Sequence, residues 1–337
     1  MKNITQLYAG QTITKGQASA ILSKFEMATT KTGEPFAKIS LQFSFGNYQG
    51  NIWGRDLDPG TKQIGEEFIA MQTRLTNLMN EGTPEAIETA RLIPPIIVAF
   101  EGNVSEFNGS LQLTAKNLSK ISADPMDYFY SPITAEKAVE LKAELMGYVS
   151  QVTDEGYATI LRYVLNDPIV ARDFFLFPAA TGHHHAYKYG LLFHTLEVLR
   201  YALALYDAAP SNHEKLNITR DLIIAGSILH DLGKIEEYRY FVGNNITTYN
   251  TTAPSHLASS IAIVREIMAA AGLRDKYLIQ KEAIGTVCNL HHGVFGLEKE
   301  FNNTENYAVK LIHFADNTSA SLAPALEEVW RKENSLA

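Results

Sequence analysis

The chain has a single cysteine, Cys288, among 337 residues. One thiol excludes an intramolecular disulfide framework and fits a reducing compartment. Long apolar runs are missing too. None approaches the roughly 18 residues of a bilayer-spanning helix, and Met1 to Gly10 lack the basic and apolar blocks of a secretory leader. The expected location is therefore the cytoplasm, with no membrane partner. Positive charge is also scarce. The formal net charge is −8, and acids outnumber bases on both sides of residue 125. Neither part is a basic module of the kind that holds nucleic acid through phosphate neutralisation alone. If the protein handles RNA or DNA, aromatic stacking and metal–phosphate contacts must supply much of the affinity.

What remains is ordinary globular material, 46% apolar and 20% charged, long enough for two domains. From Gly16 to about Leu57 the pattern is β-like. Ala18-Ile21-Leu22, Phe36 to Phe43 and Asn51-Ile52-Trp53 read as short antiparallel strands punctuated by Gly33, Gly46 and Gly50. Pro59 to about Arg91 loses that period and predicts a helix around Phe68–Leu78, followed by a charged connector. After Pro94-Pro95 the strands resume over Ile96 to Val104, turn at Asn108-Gly109 and return through Leu111 to Thr114. Five or so strands over ~120 residues predict a small Greek-key barrel, with an OB-fold the commonest candidate and an SH3-like barrel left open by periodicity. Phe25, Phe36, Phe45, Trp53 and Phe107 are candidates for a base-stacking platform or for barrel packing.

Ser122 to Pro132 is a Pro-punctuated connector, and beyond it the chain turns helical. Thr134–Val152 places Ala138, Leu141, Leu145 and Val149 on one face. Similar patterns cover about Tyr157–Leu165, Ile169–Phe175, Leu191–Tyr206, Thr219–His230, His256–Ala271, Lys276–His292 and Glu305–Ala320. The expected organisation is a multidomain α and β chain, with an N-terminal barrel over 1–125 and an all-α domain over 126–337. All ten histidines fall in the second part.

The organising stretch is Leu222 to Lys234, an apolar helical run that ends in His230-Asp231-Leu232-Gly233-Lys234. An imidazole and a carboxylate at the inner end of a buried helix need hydrogen bonds or a cation, and a His-Asp pair suits a divalent metal. Other candidates face inward as well. Asp316 shares the stripe of Ala308, Val309 and Ile312, and His291 shares a face with Ile284, Val287 and Cys288. His256 opens a helix after Pro254-Ser255 with small Ser259 and Ser260 above it. His194 lies on a helix with Leu191, Val198 and Tyr201. Any one of these alone reads as a core histidine or a structural acid. Together they suit a bundle-core site fed by several helices.

In this order, His194, His230-Asp231, His256, His291, Asp316, the chain resembles the HD-domain metal-dependent phosphohydrolases. The resemblance implies two divalent cations bridged by Asp231, one also held by His194, His230 and Asp316 and the other by His256 and His291. Mixed imidazole and carboxylate ligands suit Mn, Fe, Co, Ni or Zn better than Ca or Mg. A narrower resemblance is to the YhaM-type 3′-5′ exoribonucleases, which join an OB-fold to an HD domain. It is carried by His184-His185-Ala186-Tyr187, Gly190-Leu191, His194, His230 to Lys234 and His291-His292-Gly293, together with the hairpin Glu101 to Leu113. It thins between Asp56 and Pro95, where the chain reads as carrying extra residues. By that resemblance His184 and His185 lie at the rim of the site in reach of substrate phosphate, the other reading being surface loop histidines, and His292 orients its neighbour or binds phosphate. Lys234, four residues after His230, offsets phosphoryl charge or else caps a helix end in solvent.

The leading expectation is a hydrolase of single-stranded RNA, or of single-stranded DNA, that trims from the 3′ end to nucleoside monophosphates. The alternatives are an HD phosphohydrolase of a small or cyclic nucleotide with a regulatory barrel, favoured by the acidic charge, and a non-catalytic single-strand-binding module. Assembly into a homo-oligomer is left open.

Overall fold

Alternating apolar and polar residues build five strands: β1 (Thr12–Thr29), β2 (Pro35–Phe43), β3 (Gly46–Trp53), β4 (Ile97–Phe107) and β5 (Ser110–Lys120). The computed structural model describes the chain except residues 1–3, 5, 92, 130, 181–184, 209, 211–212, 214, 217, 241–245, 249–254 and 336–337. It divides into two units, Met1–Ser131 with Tyr240–Thr247 and Pro132–Arg239 with Thr248–Ala337.

In the first unit the strands close into a barrel of order β1-β2-β3-β5-β4. β1 is long enough to pair with β2 through Ile21–Thr29 and with β4 through Thr12–Ile21, bending at a register shift on each side. This is the five-stranded OB arrangement, and it sets aside the SH3-like alternative. The inward positions Leu22, Ile39, Leu41, Ile52, Val98, Phe100 and Leu113 fill the interior. Closure depends on one short parallel pairing, Gly50 with Leu113 and Asn51 with Thr114. A Cβ on Gly50 would fall 2.5 Å from the Leu113 carbonyl oxygen, so only glycine lets these strands meet.

The segment between β3 and β4, read from sequence as extra residues with a helix from Phe68, is helical from Pro59. Asp58 caps α1 (Pro59–Glu81) by accepting from Thr61 N at 2.6 Å, Pro59 begins it, and Gly82 ends it at φ 65°. Ile64 and Phe68 then enter the barrel core. The short α2 (Pro84–Arg91) follows where a connector was expected. The aromatic candidates separate. Phe25 is core, and Phe45 packs on Phe43 with centroids 5.0 Å apart. Phe36 and Trp53 stand opposite each other on β2 and β3 with rings 5.3 Å apart, and Phe107 is exposed beside the β4–β5 turn.

The second unit is built of α3 (Ala135–Val149), α4 (Glu155–Asn166), α5 (Pro168–Asp173), α6 (Gly190–Asp207), α7 (Arg220–Leu229), α8 (Lys234–Glu237), α9 (His256–Ala270), α10 (Leu278–Leu290), α11 (Glu298–Asn303) and α12 (Ala308–Ser335). Every residue of α7 from Leu222 to Leu229 is buried, because it packs against α6, α10 and α12 together. α12 runs well beyond Ala320 with Pro324 inside it. The proline removes one backbone donor, but the helix continues to where Trp330 packs on Phe193 and Tyr187, centroids 5.5 and 6.3 Å away. No helix among the described residues is long and apolar enough to cross a membrane.

Gly50→Ala forces a methyl into the Leu113 carbonyl. It should cost about 1–3 kcal/mol of barrel stability, read as a lower denaturation midpoint of the Trp53 fluorescence signal. An unchanged midpoint would show that the two strands do not approach this closely.

Candidate metal centre

The ends of three helices deliver most of the predicted ligands to one place. α7 finishes at its C-cap, His230, and α10 finishes at its C-cap, His291, while His256 is the first residue of α9. His194 and Asp316 come from within α6 and α12. Between α7 and α8 the chain turns through Asp231-Leu232-Gly233. A Cβ on Gly233 would lie 2.4 Å from the His256 carbonyl oxygen, so glycine lets this turn press on the first turn of α9. The Ser260 hydroxyl clamps the junction, accepting from Gly233 N at 2.8 Å and lying 3.0 Å from the His230 carbonyl oxygen. His256 is thereby brought to Asp231.

Asp231 is 1% exposed, and its two oxygens face different neighbours. Oδ2 lies 3.3 Å from His194 Nε2, 3.4 Å from His230 Nε2 and 2.6 Å from Lys234 Nζ. Oδ1 lies 3.5 Å from both His256 Nε2 and His291 Nε2. Asp316 Oδ1 is 3.2 Å from His194 Nε2. Among the described residues three sets of donor atoms gather, each within 4.8 Å of one another: His194, His230 and Asp316; His230, Asp231 and His291; His256, His291 and His292.

The hydrogen bonds fix which nitrogen of each imidazole is free to bind. His230 Nδ1 donates to the Ser227 carbonyl at 2.8 Å, and His291 Nδ1 donates to the Cys288 carbonyl at 2.9 Å. Both acceptors are last-turn carbonyls that have no partner along the helix. His256 Nδ1 donates to the Glu237 carboxylate at 2.5 Å. His194 Nδ1 meets Ser319 Oγ at 3.0 Å. For His230, His291 and His256 the proton sits on Nδ1 and the Nε2 lone pair turns toward Asp231, which is how a metal-ligating histidine is held, whereas the Ser319 hydroxyl can donate or accept and by itself leaves the His194 tautomer open. His230 Nε2, His291 Nε2 and Asp231 Oδ1 are buried without a hydrogen-bond partner. Each such atom costs about 1–3 kcal/mol if left so. Three of them converging, all lone-pair donors, fit a divalent cation.

The charges agree. Burial works to raise the Asp231 carboxyl, but Lys234, His230 and the His194 hydrogen bond outweigh it and hold the group well below the usual carboxylate range. Asp316 is also held low, its burial overcome by His194, His230 and His291. Burial pushes His291 down, and His292 is pushed down to about 4 by burial and by His291 beside it. The site thus presents ionised carboxylates, and these two imidazoles are neutral near pH 7, the forms a cation requires.

All six expected ligands, His194, His230, Asp231, His256, His291 and Asp316, therefore meet. Lys234 is not a solvated helix-end cation but an ion-pair partner of Asp231. His292 joins the group, its Nε2 3.2 Å from His256 Nε2. His184, expected at the rim, lies outside the described residues. His185 is corrected: it is 0% exposed and its Nε2 donates to Glu197 at 3.0 Å, so it is no rim residue open to substrate. The sequence reading missed Glu237 and Ser319, and took Ser260 only as a small residue beside His256. Ser319 had a legible signal, standing one helical turn after Asp316 on the same face.

Asp231→Ala removes the carboxylate shared by both sets of imidazoles. Metal per chain measured by elemental analysis after dialysis should fall to background while helical circular dichroism is retained. Wild-type metal content in that variant would refute a bridging Asp231.

Residues 191–321 match the HD domain family model, whose members bind divalent metals. The chain is similar to the 3′-5′ exoribonuclease YhaM of Bacillus pumilus (strain SAFR-032), 27% identical over 300 residues that cover 86% of this chain and 80% of the relative. It is likewise similar to the 3′-5′ exoribonuclease YhaM of Bacillus subtilis (strain 168), 26% identical over 299 residues with the same coverage. No solved structure matches significantly. The ligand order intact on its helices and the OB-like barrel before it agree with these similarities, and the HD match with the exoribonuclease relatives supports a metal-dependent phosphohydrolase.

Proposed function

We propose that the protein degrades single-stranded RNA from the 3′ end, releasing nucleoside monophosphates. In this reading Asp231 would serve two divalent cations, His194, His230 and Asp316 would help to hold one, and His256 and His291 would help to hold the other. The observation that carries the reading is the single buried carboxylate whose oxygens face two separate pairs of imidazole nitrogens. Cations bound there polarise a phosphodiester and bring the pKa of water toward neutrality. The chain's own residues do the rest. Lys234 keeps Asp231 ionised, and His292 lies at the edge of the group where its Nε2 can donate to a phosphoryl oxygen.

Two features favour a nucleic-acid strand over a small anion. On the outer face of the barrel, Phe36 pairs with Trp53, Lys38 with Asn51 and Ser40 with Gln49 across β2 and β3. Trp53 is 38% exposed. Lys24, Lys38, Gln49, Asn51 and Gln112 line a depression of about 330 Å³. Aromatic rings beside lysines and amides suit a base stacked next to its phosphate, which gives an acidic protein a local route to an anionic strand. In the helical unit, Phe295 stands 84% exposed one turn after His292, a second ring available to a base.

The test is incubation of 5′-labelled single-stranded RNA with the protein and Mn²⁺, beside a panel of small and cyclic nucleotides. A 5′-labelled ladder that shortens progressively is expected, and EDTA should abolish it. Release from nucleotides alone would replace this reading with a small-nucleotide phosphohydrolase, which the net charge of −8 suits. Retention without cleavage would leave only a binding module. Joint Trp53→Ala and Lys38→Ala substitution should raise KM for RNA about tenfold with little change in kcat, the loss of one stacked base.

A further inference from the structure

We propose that His185, Glu197 and Ser319 form a positioning relay that sets the tautomer of His194, and through it the grip of the His194, His230 and Asp316 group on its cation. The proposal rests on the metal-centre reading above.

His194 has a problem that the other ligand histidines do not. His230 and His291 sit at helix C-termini and find free carbonyls for their Nδ1 protons, and His256 has Glu237 directly. His194 is the fifth residue of α6, where nearby carbonyls are already engaged in the helix, so its Nδ1 needs a side chain. Ser319 supplies the oxygen at 3.0 Å. A hydroxyl alone would not fix the tautomer, because it can donate as well as accept. Glu197 removes that freedom. It lies one turn after His194 on α6 and takes the Ser319 hydrogen at 2.8 Å. With its only hydrogen committed, Ser319 can meet His194 only as an acceptor. His194 must then carry a proton on Nδ1, which leaves Nε2 as the ring nitrogen that faces Asp231 and Asp316 and the one available to a cation.

His185 anchors the far end. Its Nε2 donates to the same Glu197 oxygen at 3.0 Å. The residue holds a left-handed backbone at φ 56°, and its own N–H donates to Glu327 Oε1 at 2.8 Å. Burial pushes Glu197 toward protonation, and the hydrogen bonds from His185 and Ser319 overcome it and keep the group below its usual value. A buried negative charge thus stands behind His194, two hydrogen bonds away, and should strengthen its imidazole as a donor.

The experiment compares Ser319→Ala, Ser319→Thr, Glu197→Gln and unaltered protein in two measurements. Histidine ¹⁵N spectra of the metal-free protein report the His194 tautomer, and titration with Mn²⁺ followed by elemental analysis reports affinity and ions per chain. Ser319→Ala should lose the Nδ1–H form of His194 and weaken the affected ion about 10–100-fold, with an unchanged melting temperature in EDTA. Ser319→Thr, which keeps the hydroxyl, should restore both readouts, and Glu197→Gln should fall between. A His194 tautomer or Mn²⁺ affinity that is the same in Ser319→Ala as in unaltered protein would overturn the relay. Failure of the unaltered protein to bind Mn²⁺ would overturn the metal-centre reading, and the ¹⁵N spectra would then decide the tautomer on their own.

Discussion

A carboxylate buried at Asp231 cannot stand alone in the apolar centre of the helical unit, and the surrounding architecture answers that requirement. Lys234 balances part of its charge at 2.6 Å, and four imidazoles turn their Nε2 atoms toward it. None of those rings is free to rotate, because each is tied at Nδ1. The ties come from what each backbone position has to spare: a terminal carbonyl at His230 and His291, an acid on the neighbouring short helix at His256, a hydroxyl on α12 at His194. Geometry and protonation state are therefore set by the same bonds. A cation meets lone pairs that are already aimed, with little reorganisation to undergo.

That arrangement explains why α7 is almost wholly apolar after Asp221. From Leu222 onward it is buried throughout, and the chain delivers two ligands in succession, His230 and Asp231, directly after its end. Gly233 immediately afterward is equally determined, since the His256 backbone occupies the space a side chain would need. The stretch from Leu222 to Lys234 is at once a core helix, a sharp turn and half of the metal centre.

Much of this could be read from the residues in order. The helices show apolar spacing of three and four, and an acid such as Asp316 on an apolar stripe signals its own purpose. The barrel was legible from alternation and from glycines read as turns, although Gly50 lies within β3 and serves the β3–β5 closure instead. What escaped did so for physical reasons. α1 begins at an Asp-Pro cap visible in the sequence, but Gly60 and Gly65 weaken the helical pattern that follows. α12 continues past Pro324 because Trp330 gains partners brought from α6 and the loop before it, which no local pattern reveals. His185 looked like a rim residue because it lies in a run of three histidines, and its burial depends on Glu197 and Glu327, one of them 142 residues away. Among the barrel aromatics on strands, the fate followed from register, which distinguishes Phe25 facing inward from Phe36 facing out, while Phe45 sits in the β2–β3 turn.

The barrel's short closure has a consequence of its own. β1 with β2 and β4, and β4 with β5, are joined by long antiparallel ladders, whereas β3 meets β5 through two residue pairs beside a glycine. Local opening begins where the fewest bonds must break, so the cylinder has a built-in seam along Gly50 and Asn51. Amide protons there should exchange with solvent ahead of their neighbours. Since Asn51 also lines the outer depression, breathing of this seam would change the curvature of that face without unfolding the rest.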